Sequence, residues 1–351
     1  MNVRIAAFAE NAWPLAGVAL LMVVGALVPA LSHVLDLALP FFGLIALGFF
    51  CGRQFSLPEA GLQWLNIFIV YVALPSLFFS LIAATPVADL ANGHFILATT
   101  ATTATIFAVS LVVGLVATGG KIAESAIQGA AGAYSNVGYM GPGLTIAALG
   151  TAAVAPTALI CVFDNVFLFS ALPLLMALSG REKRSRRATL LLAAKRIFTH
   201  PFILAAVAGL SVAMTQATLP VAIGRMLGLL QNAAAPCALF AMGVTVALRP
   251  IKRVSLEMPV LLAIKLVVHP LLVWVVLSLA GDFGRVWTLT AVLMAALPPA
   301  LNVFVMASQY QTYVERASAI ILLGTLMSVL TITLLLYLIT ANVLPYRLFY
   351  G

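Results

Sequence analysis

The sequence is poor in charge and in cysteine. Only 8% of its 351 residues are Asp, Glu, Lys or Arg, against about 25% in ordinary soluble domains. The three cysteines (Cys51, Cys161 and Cys237) each lie within an apolar run, so neither a disulfide framework nor a Cys-rich metal site is expected. The sequence also lacks the His-Glu-x-x-His motif of zinc enzymes and the Gly-Lys-Ser/Thr phosphate loop of nucleotide-binding proteins.

Hydrophobic residues, by contrast, make up 63% of the chain. With 18 basic and 10 acidic residues, the charged side chains are too few to cover the surface of a soluble protein of this size. A soluble globular protein, a disordered chain and a coiled coil are therefore excluded, and a polytopic membrane protein is indicated.

Long apolar stretches divide the chain into candidate transmembrane helices. Crossing the bilayer core takes roughly 20 apolar residues, and the sequence predicts ten spans: 37–52, 64–84, 95–117, 127–149, 152–178, 198–214, 229–247, 259–280, 288–309 and 314–341. An eleventh apolar run, Trp13–Leu31, precedes them. It has three open explanations: an extra N-terminal helix, a signal-peptide-like segment, or translation from an upstream start, with Met22 as the natural one.

Basic residues predict the orientation in the membrane. The dense basic run at 181–187 is placed in the cytoplasm by the positive-inside rule. The same choice puts most of the remaining Lys and Arg inside, namely Arg53, Lys121, Lys195, Arg196, Arg249, Lys252, Arg253 and Arg316. The net charge of +8 is thereby explained by topology, and no nucleic-acid partner is expected.

The two halves of the chain match at one offset of 161 residues, which places Pro40 on Pro201, Gly48 on Gly209 and Phe79 on Phe240. Because each half holds five spans, an odd number, the halves would run in opposite directions through the membrane. The predicted organisation is an N-terminal extension at 1–32, a first five-helix repeat at 33–180, a basic cytoplasmic loop at 181–196 and a second, inverted repeat at 197–351.

Matching spans of the two halves, the fourth and the ninth, contain helix-breaking residues. Glycine and proline interrupt the fourth span, and two adjacent prolines interrupt the ninth. Paired breaks of this kind point to a transport site, because each half-helix that starts after a break offers free N–H groups and a positive dipole end to an anion. The alternative is that both motifs are proline kinks that serve packing. The candidate substrate-binding residues are Asn136, Gly138, Gly141, Pro142, Pro298, Pro299 and Asn302.

Four motifs resemble the auxin efflux carrier (AEC) family, which includes plant PIN auxin carriers and bacterial carriers for malonate or malate. They are Leu74-Pro75-Ser76-Leu77-Phe78-Phe79, Ser135-Asn136…Met140-Gly141-Pro142, Ala238-Leu239-Phe240-Ala241-Met242-Gly243 and Ala296-Leu297-Pro298-Pro299…Val303-Phe304-Val305-Met306-Ala307. The resemblance covers about residues 35–340. It implies ten helices in inverted repeats, as in bile-acid symporters and sodium/proton antiporters, with crossed helices four and nine at the substrate site, elevator-type movement and often a homodimer.

By the same resemblance, Asn136 and Pro142 correspond to the family's Asn and Pro in the first break, and Pro298 and Pro299 fall on the second. The short central loop fits the bacterial members, so the bacterial inner membrane is the expected location. The run at Trp13–Leu31 departs from the family pattern.

Three ionisable residues, Asp164, Lys265 and His269, fall well inside predicted spans. An Asp or Lys at a helix centre costs roughly 2.5–3.5 kcal/mol on insertion scales, so each requires a reason. Asp164 and Lys265 form a structural ion pair in one interpretation. In the other, Asp164 binds a proton or cation for coupling, and Lys265 acts as an internal cation.

The sequence thus predicts a secondary transporter for a small organic anion, with no enzymatic activity, cofactor or metal. A sodium/proton antiporter on the same scaffold is the alternative, with Asp164 as its candidate carboxylate. An intramembrane aspartyl protease would need two facing Asp residues, and only one lies deep in a span.

Overall fold

The structure is a computed structural model that describes residues 29–55, 61–180, 191, 195, 198–248 and 255–349. Most of the Trp13–Leu31 run and the basic run at 181–187 lie outside these residues, so the three explanations of the N-terminal run stay predictions. Within the described part, the chain is helical and contains no β-strand beyond one isolated β-bridge.

Twelve main helices are described, with the bounds α1 Pro29–Phe55, α2 Leu62–Ala83, α3 Gly93–Thr118, α4 Ile122–Ala133, α5 Gly141–Leu149, α6 Val154–Leu178, α7 Pro201–Thr215, α8 Val221–Ala247, α9 Glu257–Ala280, α10 Gly284–Ala296, α11 Leu301–Gln309 and α12 Val314–Thr340. One helical turn, Val87–Leu90, and one 3-10 turn, Thr151–Ala153, connect them. The α8 helix starts at Val221, directly after Pro220 and eight residues before the predicted span.

Seven of the described helices are long and apolar enough to cross a membrane: α1, α2, α3, α6 (with the preceding 3-10 turn), α8, α9 and α12. Two shorter apolar helices, α7 and α10, accompany them. Large apolar side chains such as Trp64, Val116 and Leu330 lie exposed on the outside of the bundle, as expected for a surface that faces an apolar environment. These features confirm an all-helical, multi-pass membrane protein, while the ten-span arrangement stays a prediction.

Two of the long helices widen into π-helical turns just before a proline. Ile69–Ala73 precedes Pro75 in α2, and Ile264–Val268 precedes Pro270 in α9. A proline inside a helix lacks a donor and crowds the carbonyl four residues back, and the wider turn relieves both problems. Lys265 lies in the second of these turns, a kind of irregularity that is frequent at functional sites.

Glycines let α1 and α8 cross at backbone contact. A Cβ atom at Gly48 would lie 2.1 Å from the carbonyl oxygen of Phe240, and one at Gly243 would lie 2.1 Å from that of Ile45. No side chain fits at such distances, so the crossing depends on glycine at both positions.

Replacing Gly48 with alanine is therefore expected to destabilise the protein by at least about 1–3 kcal/mol, the usual cost of overpacking. The matched control is Gly43→Ala in the same helix, where an added Cβ meets nothing within 4 Å. Thermal unfolding of the purified proteins in detergent should show a lower midpoint for Gly48→Ala alone. Equal midpoints for the two variants would contradict the close crossing.

The most deeply buried part of the bundle surrounds the two interrupted segments. Tyr134, Met140, Leu297 and Val303, which lie in or next to those segments, are all almost completely buried. The fold thus places its irregular backbone at the centre, where protein covers it, which is the condition for tolerating such backbone in a membrane.

Candidate functional site

Both predicted breaks are present as interruptions between half-helices. The first separates α4, which ends at Ala133, from α5, which begins at Gly141. The second separates α10 from α11, with Leu297 and Ala300 in extended conformations on its two sides. Pro142 stands in the first turn of α5, a position at which its missing N–H would have had no helical acceptor.

The two interruptions pair with each other. Ser135 and Pro299 form an antiparallel bridge. The N–H of Asn136 donates to the carbonyl of Pro298 at 2.9 Å, and the N–H of Ala300 donates to the carbonyl of Tyr134 at 2.9 Å. These bonds satisfy backbone groups that the broken helices leave free, which would otherwise cost several kcal/mol each in an apolar medium.

A polar network surrounds the bridge. The hydroxyl of Tyr134 donates to Oδ1 of Asn165 in α6 and accepts a bond of 2.9 Å from Nδ2 of Asn302 in α11. The amide of Asn165 also donates to the carbonyl of Cys161, one turn earlier in α6. This network links three different helices at the point where the breaks meet.

The side chain of Asn136 makes fewer hydrogen bonds in the described structure than the side chain of Asn165. Its side-chain nitrogen contacts only the sulfur of Met242, at 3.5 Å, and a thioether is a weak acceptor. The side chain is nevertheless almost completely buried. An amide in that situation retains hydrogen-bonding capacity for a ligand.

A small cavity lies against the bridge and continues into a larger one. The small cavity has a volume of about 10 Å³, which is room for about one water molecule. It shares Tyr139, Phe202 and Asn302 with a cavity of about 770 Å³. The remaining residues that line the small cavity are Tyr134, Ser135, Asn136, Gly138, Asn165 and Ala300.

Neither cavity is lined by a described Lys, Arg, Asp or Glu side chain. The polar groups that face them are amides, hydroxyls and the imidazole of His200, which caps α7. Together with the amino-terminal end of α11, these groups suit an anion that is bound without a fixed countercharge.

The predicted binding residues fall into three groups relative to this cavity. Asn136, Gly138 and Asn302 line it, whereas Pro298 and Pro299 supply the backbone that pairs with the first break. Gly141 and Pro142 lie in the first turn of α5, where an added Cβ on Gly141 would meet the sulfur of Met294 at 2.7 Å. These two residues are not part of the lining of the small cavity, and their assignment to substrate binding stays a prediction.

Sequence reasoning did not assign Tyr134 or Asn165 to the site. Asn165 is a polar residue in an apolar span, and Tyr134 directly precedes the first break. The sequence shows both features, but it does not show the hydrogen bond that joins the two residues, because that bond depends on the packing of α4 against α6.

The buried charges lie beside the bridge and outside both cavity linings. Asp164 and Lys265 form no direct ion pair in the described structure, although each lies in the other's electrostatic field. Lys265 donates instead to the carbonyl of Ala295, and its Nζ lies 3.4 Å from Nδ1 of His269. The described structure therefore does not contain the Asp164–Lys265 ion pair that one interpretation of the sequence predicted. Among the described residues, no group of three His, Cys, Asp or Glu could hold a metal ion.

Comparison with known proteins places this geometry in a family. A family model described as "Membrane transport protein" matches residues 33–336. A protein of Rhizobium meliloti (strain 1021), described as "Putative malonate transporter", is 48% identical over 319 residues, which cover 91% of this chain and 100% of that protein. These descriptions are of transporters and not of enzymes, and they confirm the resemblance that the break motifs indicated. The chain belongs to the membrane transport protein family, that of the auxin efflux carriers.

Proposed function

We propose that the protein is a secondary transporter that moves a small organic anion across the membrane by alternating access, with its substrate site at the paired breaks. The observation that carries this proposal is the bridge between Ser135 and Pro299. Two helices interrupted at one point within an apolar bundle are typical of a carrier's substrate site. The substrate class is a carboxylate such as malonate, malate or an auxin-like acid.

The chemistry of the cavity supports a bound carboxylate. The amino-terminal end of α11 and the amides of Asn136 and Asn302 supply donors beside the bridge, and charge-assisted hydrogen bonds to such donors are stronger than neutral ones. Since no Lys or Arg of the described residues lines the cavity, the anion can also leave. The volume of about 10 Å³ is too small for a dicarboxylate, so substrate entry requires Tyr139 and Phe202 to move away from the bridge.

Ten spans in two inverted repeats form part of the proposal. The seven long helices, α7 and the two interrupted pairs α4–α5 and α10–α11 together make ten crossings. Two close approaches support the repeat: Gly48 packs on the carbonyl of Phe240, and Gly209 packs on the carbonyl of Phe79, where a Cβ would lie at 2.8 Å. Gly48 matches Gly209, and Phe79 matches Phe240, at the offset of 161 residues, so these are equivalent contacts in the two halves.

The larger cavity opens towards the cytoplasm in this proposal. Gln63, Thr199 and Gln309 in its lining lie close in sequence to the basic residues that the positive-inside rule places inside. The described conformation is thus inward-facing, in the inner membrane of a bacterium, and the homodimer that the family resemblance implies stays part of the proposal.

Uptake into proteoliposomes tests the proposed function. The relative's description makes malonate the first substrate to try, followed by malate and indole-3-acetate, with protein-free liposomes and a site variant as controls. Accumulation of at least one carboxylate, abolished by an excess of the same unlabelled acid, is expected. Folded protein that moves none of them would contradict the proposal.

A sodium/proton antiporter is the second candidate, because Asp164 is buried and its Oδ1 has no hydrogen-bond partner in the described part of the chain. An exchanger of that kind needs a carboxylate that binds sodium and protons in turn. Proton flux driven by a sodium gradient in the absence of any organic acid would favour this alternative. Carboxylate uptake without such flux would favour the anion carrier.

A further inference from the structure

Lys265 is completely buried, yet its ammonium contacts no carboxylate of the described residues. It lies in the π-helical turn Ile264–Val268 of α9 and donates to the carbonyl oxygen of Ala295 at 2.5 Å. Its other polar neighbour is Nδ1 of His269, at 3.4 Å. A buried charge is costly unless the site gains something from it.

The position of the carbonyl group that accepts from Lys265 indicates what the buried ammonium contributes to the site. Ala295 lies in the last turn of α10, directly before the second break, where the negative end of the helix dipole and unsatisfied carbonyl groups collect. Its carbonyl also accepts a bond of 3.4 Å from the hydroxyl of Ser135, the residue that bridges the two breaks. The ammonium thus binds the carboxyl-terminal end of α10 at the point where the two breaks meet.

In carriers with broken helices, carbonyl groups at such half-helix ends coordinate the coupling cation. Asp164 adds to the negative field at the ammonium without contacting it. It is buried, and its Oδ1 has no hydrogen-bond partner among the described residues. The position that a bound alkali ion would take, beside carbonyl and hydroxyl oxygens and near a carboxylate, is filled by the lysine.

We propose that the ammonium of Lys265 is a resident cation that replaces a bound alkali ion at the carboxyl-terminal end of α10, so that anion transport proceeds without sodium. The proposal rests on the proposed transport function. It gives Lys265 a positioning role: the ammonium holds the end of α10 against the bridge while the anion binds on the other side.

Two variants separate loss of charge from loss of volume. Lys265→Ala removes the ammonium and leaves space beside the carbonyl of Ala295, whereas Lys265→Met removes the charge and keeps the space filled. Wild-type uptake should be equal in sodium and in choline buffers. Both variants should lose at least about tenfold in choline, in line with the loss of a charge-assisted hydrogen bond. Sodium should restore part of the uptake in Lys265→Ala and none in Lys265→Met.

Thermal unfolding of the same purified proteins gives a second readout. Sodium in place of choline should raise the midpoint of Lys265→Ala and leave the midpoints of wild type and Lys265→Met unchanged. The exposed Lys121→Met serves as the control for removal of a lysine charge. If no carboxylate is transported, the transport proposal fails, while this comparison still decides whether the lysine fills a cation site.

Three results would contradict the proposal that the ammonium of Lys265 is a resident cation. They are sodium dependence of the wild-type protein, wild-type uptake by Lys265→Ala in choline, and a folded Lys265→Ala that gains nothing from sodium. Should neither variant fold, the wild-type comparison of sodium with choline decides: equal uptake supports the proposal, and a sodium requirement contradicts it.

Discussion

Replacing Asn136 with alanine is expected to reduce anion uptake by about tenfold or more and to leave the unfolding midpoint unchanged. The amide of Asn136 has only the sulfur of Met242 as a partner, so little native structure depends on it. A hydrogen bond to a charged ligand contributes about 1.5–3 kcal/mol, and a loss of about 1.4 kcal/mol is already tenfold in binding. Initial rates of labelled carboxylate uptake and thermal unfolding of the same preparation measure the two effects.

Asn165→Ala is the matched control. The Asn165 side chain accepts from the hydroxyl of Tyr134 and donates to the carbonyl of Cys161, so its loss leaves buried groups unpaired. We expect a lower unfolding midpoint for Asn165→Ala, corresponding to a loss of about 1–3 kcal/mol. If Asn136→Ala transports at the wild-type rate, Asn136 is a packing residue, and the anion site does not include it.

Gly138→Leu is expected to abolish carboxylate uptake in protein that still folds. A Cβ atom at Gly138 would meet nothing within 4 Å, and Gly138 lines the small cavity, so the first carbon of a larger side chain fits and its remaining carbons block the substrate site. Because the backbone there is not in the left-handed region, the substitution introduces no strain. Uptake close to that of protein-free liposomes, together with a normal unfolding midpoint, is the expected result.

Gly43→Leu offers a control of the same size. Gly43 lies in α1, an added Cβ also meets nothing within 4 Å there, and the residue lines neither cavity. Its uptake should match the wild type. Transport by Gly138→Leu at the rate of Gly43→Leu would show that substrate does not pass beside Gly138.

The positions of the breaks were predictable because their causes are local. Pro142, Pro298 and Pro299 constrain their own backbone whatever surrounds them. The structure interrupts α4–α5 just before Pro142, and α10–α11 at Pro298 and Pro299. The offset of 161 residues likewise singled out two glycines that make close approaches in the structure, Gly48 to Phe240 and Gly209 to Phe79.

The partners of the polar residues were not predictable in the same way. Which residues pair across the bridge depends on how α4 and α10 meet, and nothing in the sequence specifies that Ser135 lies opposite Pro299. The same holds for Lys265, whose long side chain reaches the carbonyl of Ala295 and not Asp164. Spacing along the sequence places a residue on a helix face, but the neighbouring helices decide its contacts.

The central claim, that the paired breaks hold a carboxylate, is tested most directly by thiol labelling of a Gly138→Cys variant. The parent protein is labelled in parallel to subtract its own three cysteines, and the ligand is the carboxylate that stabilises the variant most against heat. At a concentration that raises the unfolding midpoint, that carboxylate should slow labelling several-fold. An unchanged labelling rate at the same concentration would place the bound anion elsewhere and contradict the account.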